Sequence, residues 1–385
     1  MDALGDTPTT REPLAQQSAE LVALRRMLAA SEGTFSFSVA ICNSPAVRDY
    51  LISKLREESP SIAVVEISKE VADILDSVNS SVRGVNKGGI FVIGVEKLLP
   101  SDRKEHKILR ALNVTREAWQ SRFSCPVVFW LPEYAATLLS IHARDLWSWV
   151  SHTFEFVSEQ ATAMGGTLDA YAGDVLSAGR LDADQKRFRI AELEQRIEDA
   201  GDPPKVQLVQ HVLTWLNELA YIYDAIGDLD RAEENVLRSL RIAEELNLAS
   251  TIGGAYGNLG LIYQTRGDLA KAEQMHNKSL EIFEKLGQLE GMAIQYGNLG
   301  LIYQTRGDLE KAEQMYKKAL EIDEKLRRLE GMANQYGNLG SVYRERRDFD
   351  KAKEYWEKAL ELFKKIGMKQ EIEKTQQAID GLKDK

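Results

Sequence analysis

The chain has 385 residues, 44% of them hydrophobic and 28% charged, with a formal net charge of −10, and its length allows two or three domains at ~100–200 residues each. An acidic chain without a basic stripe argues against a nucleic-acid partner. No apolar run reaches the ~18 residues of a membrane helix, and Met1–Gln17 lacks the basic-then-apolar pattern of a signal segment, so a cytoplasmic protein with no membrane partner is expected. Cys42 and Cys125 are the only cysteines and read as free thiols. The five histidines show no ligand spacing, so neither a metal nor a cofactor is expected.

In chain order, residues 1–32 read as a disordered start and a leading helix, with Leu21, Leu24, Met27 and Leu28 at helical spacing. Residues 33–158 then alternate short apolar runs with helical segments. Strands are expected at 35–41, 62–67, 90–95, 127–130 and 150–156, and helices at 45–58, 69–78 and 132–142, with one or two more over 102–122. Ser44-Pro45 opens the first of these helices, with Ser as cap and Pro at the first helical position. Alternating strands and helices predict a parallel five-stranded sheet covered on both faces. Residues 159–205 are a hinge, rich in small residues and including Gly165-Gly166, followed by a charged helix from Ala183 to Ala200.

From residue 206 the chain becomes all-α. Tyr-Gly-Asn-Leu-Gly-Leu-Ile-Tyr-Gln-Thr-Arg-Gly-Asp-Leu runs from Tyr256 to Leu269 and again from Tyr296 to Leu309. A looser copy starts at Tyr336 and a degraded one lies around Leu219 and Tyr223. A fixed period in this range predicts a solenoid of helix pairs, each burying its apolar face against its neighbours. Helix A of the second copy is expected over 252–265 and helix B over 269–286, with Asp268 as the cap between them. Gly260, Gly300 and Gly340 recur in the A helices, where a close approach justifies the ~1 kcal/mol that Gly costs a helix. The array spans 206–370, and 371–385 reads as a capping helix. Residues 251–370 hold 20 Lys/Arg and 18 Asp/Glu, so the acidic excess lies upstream.

Two resemblances follow. Leu299, Gly300, Tyr303, Gly307, Ala312, Tyr316 and Ala319 carry the pattern of the tetratricopeptide repeat. The forty-residue period is similar to the kinesin light chain type, with Arg347 standing where the last turn would have Gly. That resemblance implies a concave groove, lined by the A helices, that holds a protein or extended peptide segment. It implies groove roles for Asn258, Asn298 and Asn338, whose amides can donate to and accept from a peptide backbone. Gln264, Gln304 and Arg344 lie about two turns later on roughly the same face, and Arg266, Arg306 and Arg346 follow.

Residues 33–158 resemble the core of the signalling P-loop ATPases called STAND, through the stretch Arg110 to Glu117 followed by Cys125 to Pro132. A P-loop places Gly-x-x-x-x-Gly-Lys-[Ser/Thr] after the first strand; here Cys42-Asn43-Ser44-Pro45-Ala46-Val47-Arg48-Asp49 stands instead, without Gly or Lys. Glu96 is the remaining candidate for a magnesium-binding acid. These departures predict a nucleotide-free domain, and therefore a non-enzymatic adaptor or regulator. The layout, by resemblance, implies bacterial signalling or defence. A nucleotide-operated switch using Glu96 and a structural, oligomerising subunit are the competing readings. A homo-oligomer and an intramolecular contact between the α/β domain and the repeats stay open on the sequence.

Overall fold

A computed structural model describes residues 19–31, 33–82, 88–99, 107–156 and 181–382. The expected disordered start, the loop at Asn86-Lys87, the Gly165-Gly166 hinge and the last three residues lie outside the described residues. Helix α1 (Ala19–Ala30) leads into β1 (Ser36–Cys42), α2 (Pro45–Glu58), β2 (Ile62–Glu66), α3 (Ile74–Ser81) and β3 (Gly89–Ile93). A 3-10 turn (Val95–Leu98) follows, then α4 (Lys107–Val114), α5 (Arg116–Arg122), β4 (Pro126–Leu131), α6 (Glu133–His142), α7 (Arg144–Trp147) and β5 (Val150–Phe156).

The five strands form one parallel sheet in the order β2-β3-β4-β1-β5. Side chains alternate across it. Phe37, Val39, Val127, Phe129 and Leu131 join the core that α3 to α6 cover. Ala40, Cys42, Val128, Trp130 and Phe154 join the other, under α1 and α2. Burial on both faces explains why β4 is apolar at every position. Trp119 and Trp130 are fully buried, each worth about 1.5–3 kcal/mol or more in apolar area.

Among the boundaries that differ from the sequence expectation, two have a local cause. Helix α3 begins at Ile74, not Lys69, because Asp73 caps it by accepting from the backbone N–H of Asp76. Strand β3 ends at Ile93 rather than Val95, because Gly94 turns the chain at φ +82. A side chain there would meet the Ile67 carbonyl at 2.6 Å, so only glycine fits.

After the linker, α8 (Ala183–Ala200) precedes four helix pairs: α9 (Val209–Ala225) with α10 (Leu229–Glu245), α11 (Ala249–Arg266) with α12 (Leu269–Leu286), α13 (Leu289–Thr305) with α14 (Leu309–Leu326), and α15 (Leu329–Glu345) with α16 (Phe349–Ile366). Helix α17 (Lys369–Asp380) ends the array. Asp228, Asp268, Asp308 and Asp348 each cap a B helix by accepting from the N–H three residues on. The recurrent A-helix glycine faces the large B-helix side chain: a Cβ on Gly300 would stand 2.6 Å from the Tyr316 ring. Arg347 adopts the left-handed conformation of its glycine counterparts, φ +62 against +81 at Gly227, so the last turn keeps its shape.

Helix α8 packs on the solenoid. Leu193, Ile197 and Ala200 share a core with Val212, Leu216 and Tyr223. The Tyr223 hydroxyl donates to Glu194 of α8 at 2.6 Å, as Tyr263 does to Glu233 of the preceding B helix.

Candidate functional site

Successive A helices α11, α13 and α15 touch one another, whereas the B helices do not to the same extent. The A helices therefore lie on the inner side of the curve. On α11 the partly exposed residues Gly254, Asn258, Leu261 and Thr265 fall on one helical face. A Cβ added to Gly254 meets nothing within 4 Å, so that face is open. In α13 the corresponding residues are Ile294, Asn298, Leu301 and Thr305, and in α15 they are Asn334, Asn338, Ser341 and Glu345. The floor of this groove is amide and aliphatic, and its one carboxylate, Glu345, accepts from Gln304.

Asn258, Asn298 and Asn338 sit in register along the groove, each half-buried. Buried Asn298 Nδ2 has no hydrogen-bond partner among the described residues. In the first repeat the same position is Glu218, which is buried and held bidentately by Arg189 of α8, at 2.6 and 2.9 Å. The amide row thus begins at the second repeat.

The other groove candidates are placed differently. Gln304 is 1% exposed: its Oε1 accepts from the Tyr316 hydroxyl at 2.9 Å, and its Nε2 donates to Glu345 at 2.6 Å. Gln264 is half-buried, and its Oε1 lacks a partner among the described residues. Arg344 is exposed and lies over the Trp356 ring, 5.9 Å from its centroid.

Arg266 and Arg306 turn towards the preceding repeat. Arg266 and the Tyr263 hydroxyl both donate to the Glu233 carboxylate, and Arg266 Nη2 also donates to the Leu229 carbonyl at 3.1 Å. Tyr303 and Arg306 repeat this on Glu273 and Leu269, and Tyr343 and Arg346 on Glu313 and Leu309. Burial would raise these carboxyls, but the surrounding hydrogen bonds outweigh it and hold Glu233 and Glu273 below their ordinary range and Glu313 at about 2. The arginines thus clamp one repeat to the next. The acidic partners recur at the same forty-residue phase in the sequence, a signal that could have been read there.

The second candidate region is the carboxyl-end crest of the sheet, where α/β folds commonly bind ligands. Here Arg48 stands in the place of the P-loop lysine. Its guanidinium pairs with Asp49 at 2.8 Å and with Glu96 at 3.4 Å. Burial pushes the Glu96 carboxyl up despite Arg48. Its Oε2 has no partner among the described residues. Among those residues no group of three or more His, Cys, Asp or Glu side chains could hold a metal ion. Burial also pushes the Cys42 thiol up to about 11, the opposite of what a nucleophile requires. No helix is long and apolar enough to cross a membrane among the described residues.

The loop after β1 meets the repeats. Asn43 Oδ1 accepts from the Glu133 N–H, and its Nδ2 donates to the Ala225 carbonyl, both at 2.7 Å. The Ser44 hydroxyl donates to the Thr265 carbonyl at 3.2 Å, and the Tyr134 N–H to the Ile226 carbonyl at 3.3 Å. Sequence reading found no role for Asn43, since its partner lies 182 residues away.

Three tetratricopeptide repeat models match, over residues 212–248, 251–325 and 333–365. No curated protein matches the chain. Similar solved structures include BtubC (BKLC) from P. vanneervenii, at 24% identity over 52% of this chain and 91% of that one, TM-score 0.42. Another is a Podosopora anserina putative kinesin light chain of nearly identical TPR-like repeats, at 16% over 55% and 100%, TM-score 0.41. A third is the STAND protein with a tetratricopeptide repeat sensor PH0952 from Pyrococcus horikoshii, at 11% over 91% and 84%, TM-score 0.39. At these scores the likenesses carry no argument about function. The repeat matches themselves support a protein-binding adaptor role. The chain is a tetratricopeptide-repeat protein in which a solenoid follows an N-terminal α/β domain with a five-stranded parallel sheet.

Proposed function

We propose that the chain is a non-enzymatic adaptor or regulator that holds a partner protein, as an extended segment, against the inner face of the repeats. The observation that carries this reading is the row of half-buried Asn258, Asn298 and Asn338 on an open, largely uncharged floor. Gln304, Arg266 and Arg306 are already engaged within the chain, so they support the groove rather than line it. The amides would bond a peptide backbone, and half-buried Leu261 and Leu301 would take apolar side chains. A role in bacterial signalling or defence belongs to the same proposal and rests on the domain layout alone.

The test is capture from native lysate by wild type and by the Asn258→Ala/Asn298→Ala/Asn338→Ala variant, matched for helicity by circular dichroism. A partner held by wild type and lost by the variant is expected; identical captured sets would refute the groove. The competing nucleotide switch is disfavoured by the Arg48–Glu96 pair, since the basic and acidic groups a phosphate and magnesium need already neutralise each other. Calorimetry with magnesium and ATP should show no binding, and micromolar binding abolished by Glu96→Gln would overturn that.

A further inference from the structure

We propose that the crest of the α/β domain is a docking site for the chain's own helix A–B turns, and that this dock fixes the pitch between the first two repeats. The last carbonyls of any helix lack intrahelical partners. At α9 and α11 the donors of the α/β domain supply them. Asn43 reaches Ala225 and Tyr134 reaches Ile226 in the first repeat; Ser44 reaches Thr265 in the second. Ser44 is 1% exposed, and the Tyr134 ring packs on the solenoid core. The N-terminus of α2, the positive helix end where a phosphate would sit, faces the negative ends of α9 and α11 instead.

Two features make this a built site. Asn43 uses both ends of its amide: one ties the β1–α2 loop to the first residue of α6, and the other holds the repeat. The fit is also tight. A Cβ on Gly227 would stand 2.7 Å from Pro132 and 2.8 Å from Asn43 Oδ1, and one on Gly267 would stand 3.4 Å from the Ala46 Cβ. Asn43, Ser44 and Ala46 therefore grip the turns of two successive repeats. Rotating the second repeat against the first would break one grip or the other. The groove proper starts at the second repeat, so the dock sets the geometry of its first rung and leaves the later repeats free.

The test compares two glycines with the same left-handed backbone. Gly227 (φ +81) faces the crest, whereas Gly367 (φ +78) has nothing within 4 Å of an added Cβ. Alanine strains both backbones alike, and only Gly227→Ala wedges the dock. In the full-length protein, spin labels at exposed Glu234 and Gln274 would report the first repeat joint, and labels at Gln274 and Gln314 the second. Native Cys42 and Cys125 are buried. Gly227→Ala should broaden the 234–274 distance distribution and raise amide exchange of Val47 and Arg48 by about tenfold or more, the loss of ~1.4 kcal/mol of protection. Gly367→Ala should change neither. Asn43→Ala, which adds no strain, should reproduce the broadening. A 234–274 distribution unchanged in Gly227→Ala and Asn43→Ala, or broadened equally by Gly367→Ala, would overturn the proposal. Neither readout uses a groove ligand, so failure here is separable from failure of the adaptor reading.

Discussion

Replacing Glu313 with Gln tests the inter-repeat clamp. The carboxylate accepts from Lys317 and Tyr343 on one oxygen and from Arg346 on the other, each at 2.6 Å, with its side chain 14% exposed. Burial works against the charge, but the three donors win and bring the carboxyl from 4.5 to about 2. At about 1.4 kcal/mol per pKa unit, ~3 kcal/mol of stability is tied to ionisation, an upper figure for a group with some solvent access. Glutamine keeps the shape and one acceptor but turns an amide N–H towards a donor. A loss of about 2–3 kcal/mol at neutral pH is expected from urea unfolding followed by circular dichroism. The sign follows from a depressed pKa: stabilisation is complete above the unfolded value of 4.5 and is lost as pH falls towards about 2. The stability difference between wild type and variant should therefore close over that interval, while Glu233 and Glu273 titrate alike in both. A neutral-pH difference below about 0.5 kcal/mol, the size of an ordinary surface substitution, would refute the clamp as a stabilising device.

Three further outcomes follow from the same packing. Asp323 is 1% exposed at the joint between the third and fourth repeats, and burial pushes its carboxyl up to about 6 despite Arg328 and Gln335. Asp323→Asn should stabilise the protein by about 1–3 kcal/mol above pH 6, an advantage that disappears as pH falls through 6 towards 3.8, checked by denaturant midpoints across pH. Gly300→Ala should cost about 1–3 kcal/mol through the clash with Tyr316. Gly337→Ala, with nothing within 4 Å of the new Cβ, should gain up to ~1 kcal/mol of helix propensity, both variants being read by urea unfolding at neutral pH.

The repeat architecture was legible because its determinants are local and periodic: the Asp268 cap, the turn glycines and the apolar stripe recur at a fixed spacing. The sheet was legible because β1 and β4 are apolar enough to be buried on both faces. Roles that depend on a second segment were not. In sequence Arg266 and Arg306 follow the groove residues, and the acids that engage them, Glu233 and Glu273, lie thirty-three residues back. Gln304 shares its sequence phase with Gln264, yet Tyr316 closes over it, whereas Gln264, whose own repeat has His276 at that phase, stays half-buried. Asn43-Ser44-Pro45 was legible as a missing phosphate loop. What replaced it was not, because the replacement is a pair of carbonyls 182 and 221 residues downstream.

The clamp has a consequence for how the array can change length. Its three copies join Tyr263 and Arg266 to Glu233, Tyr303 and Arg306 to Glu273, and Tyr343 and Arg346 to Glu313. The second and third repeats therefore each offer a forward acid and a backward Tyr–Arg pair, whereas the first, with Ile226, offers only the acid and the fourth, with Lys353 at the acid's phase, only the pair. Cutting out or duplicating one forty-residue block in the middle leaves every joint with its matching halves. The solenoid behaves as an extendable ruler, whose span a single in-frame recombination between its near-identical blocks can reset without inventing a new interface.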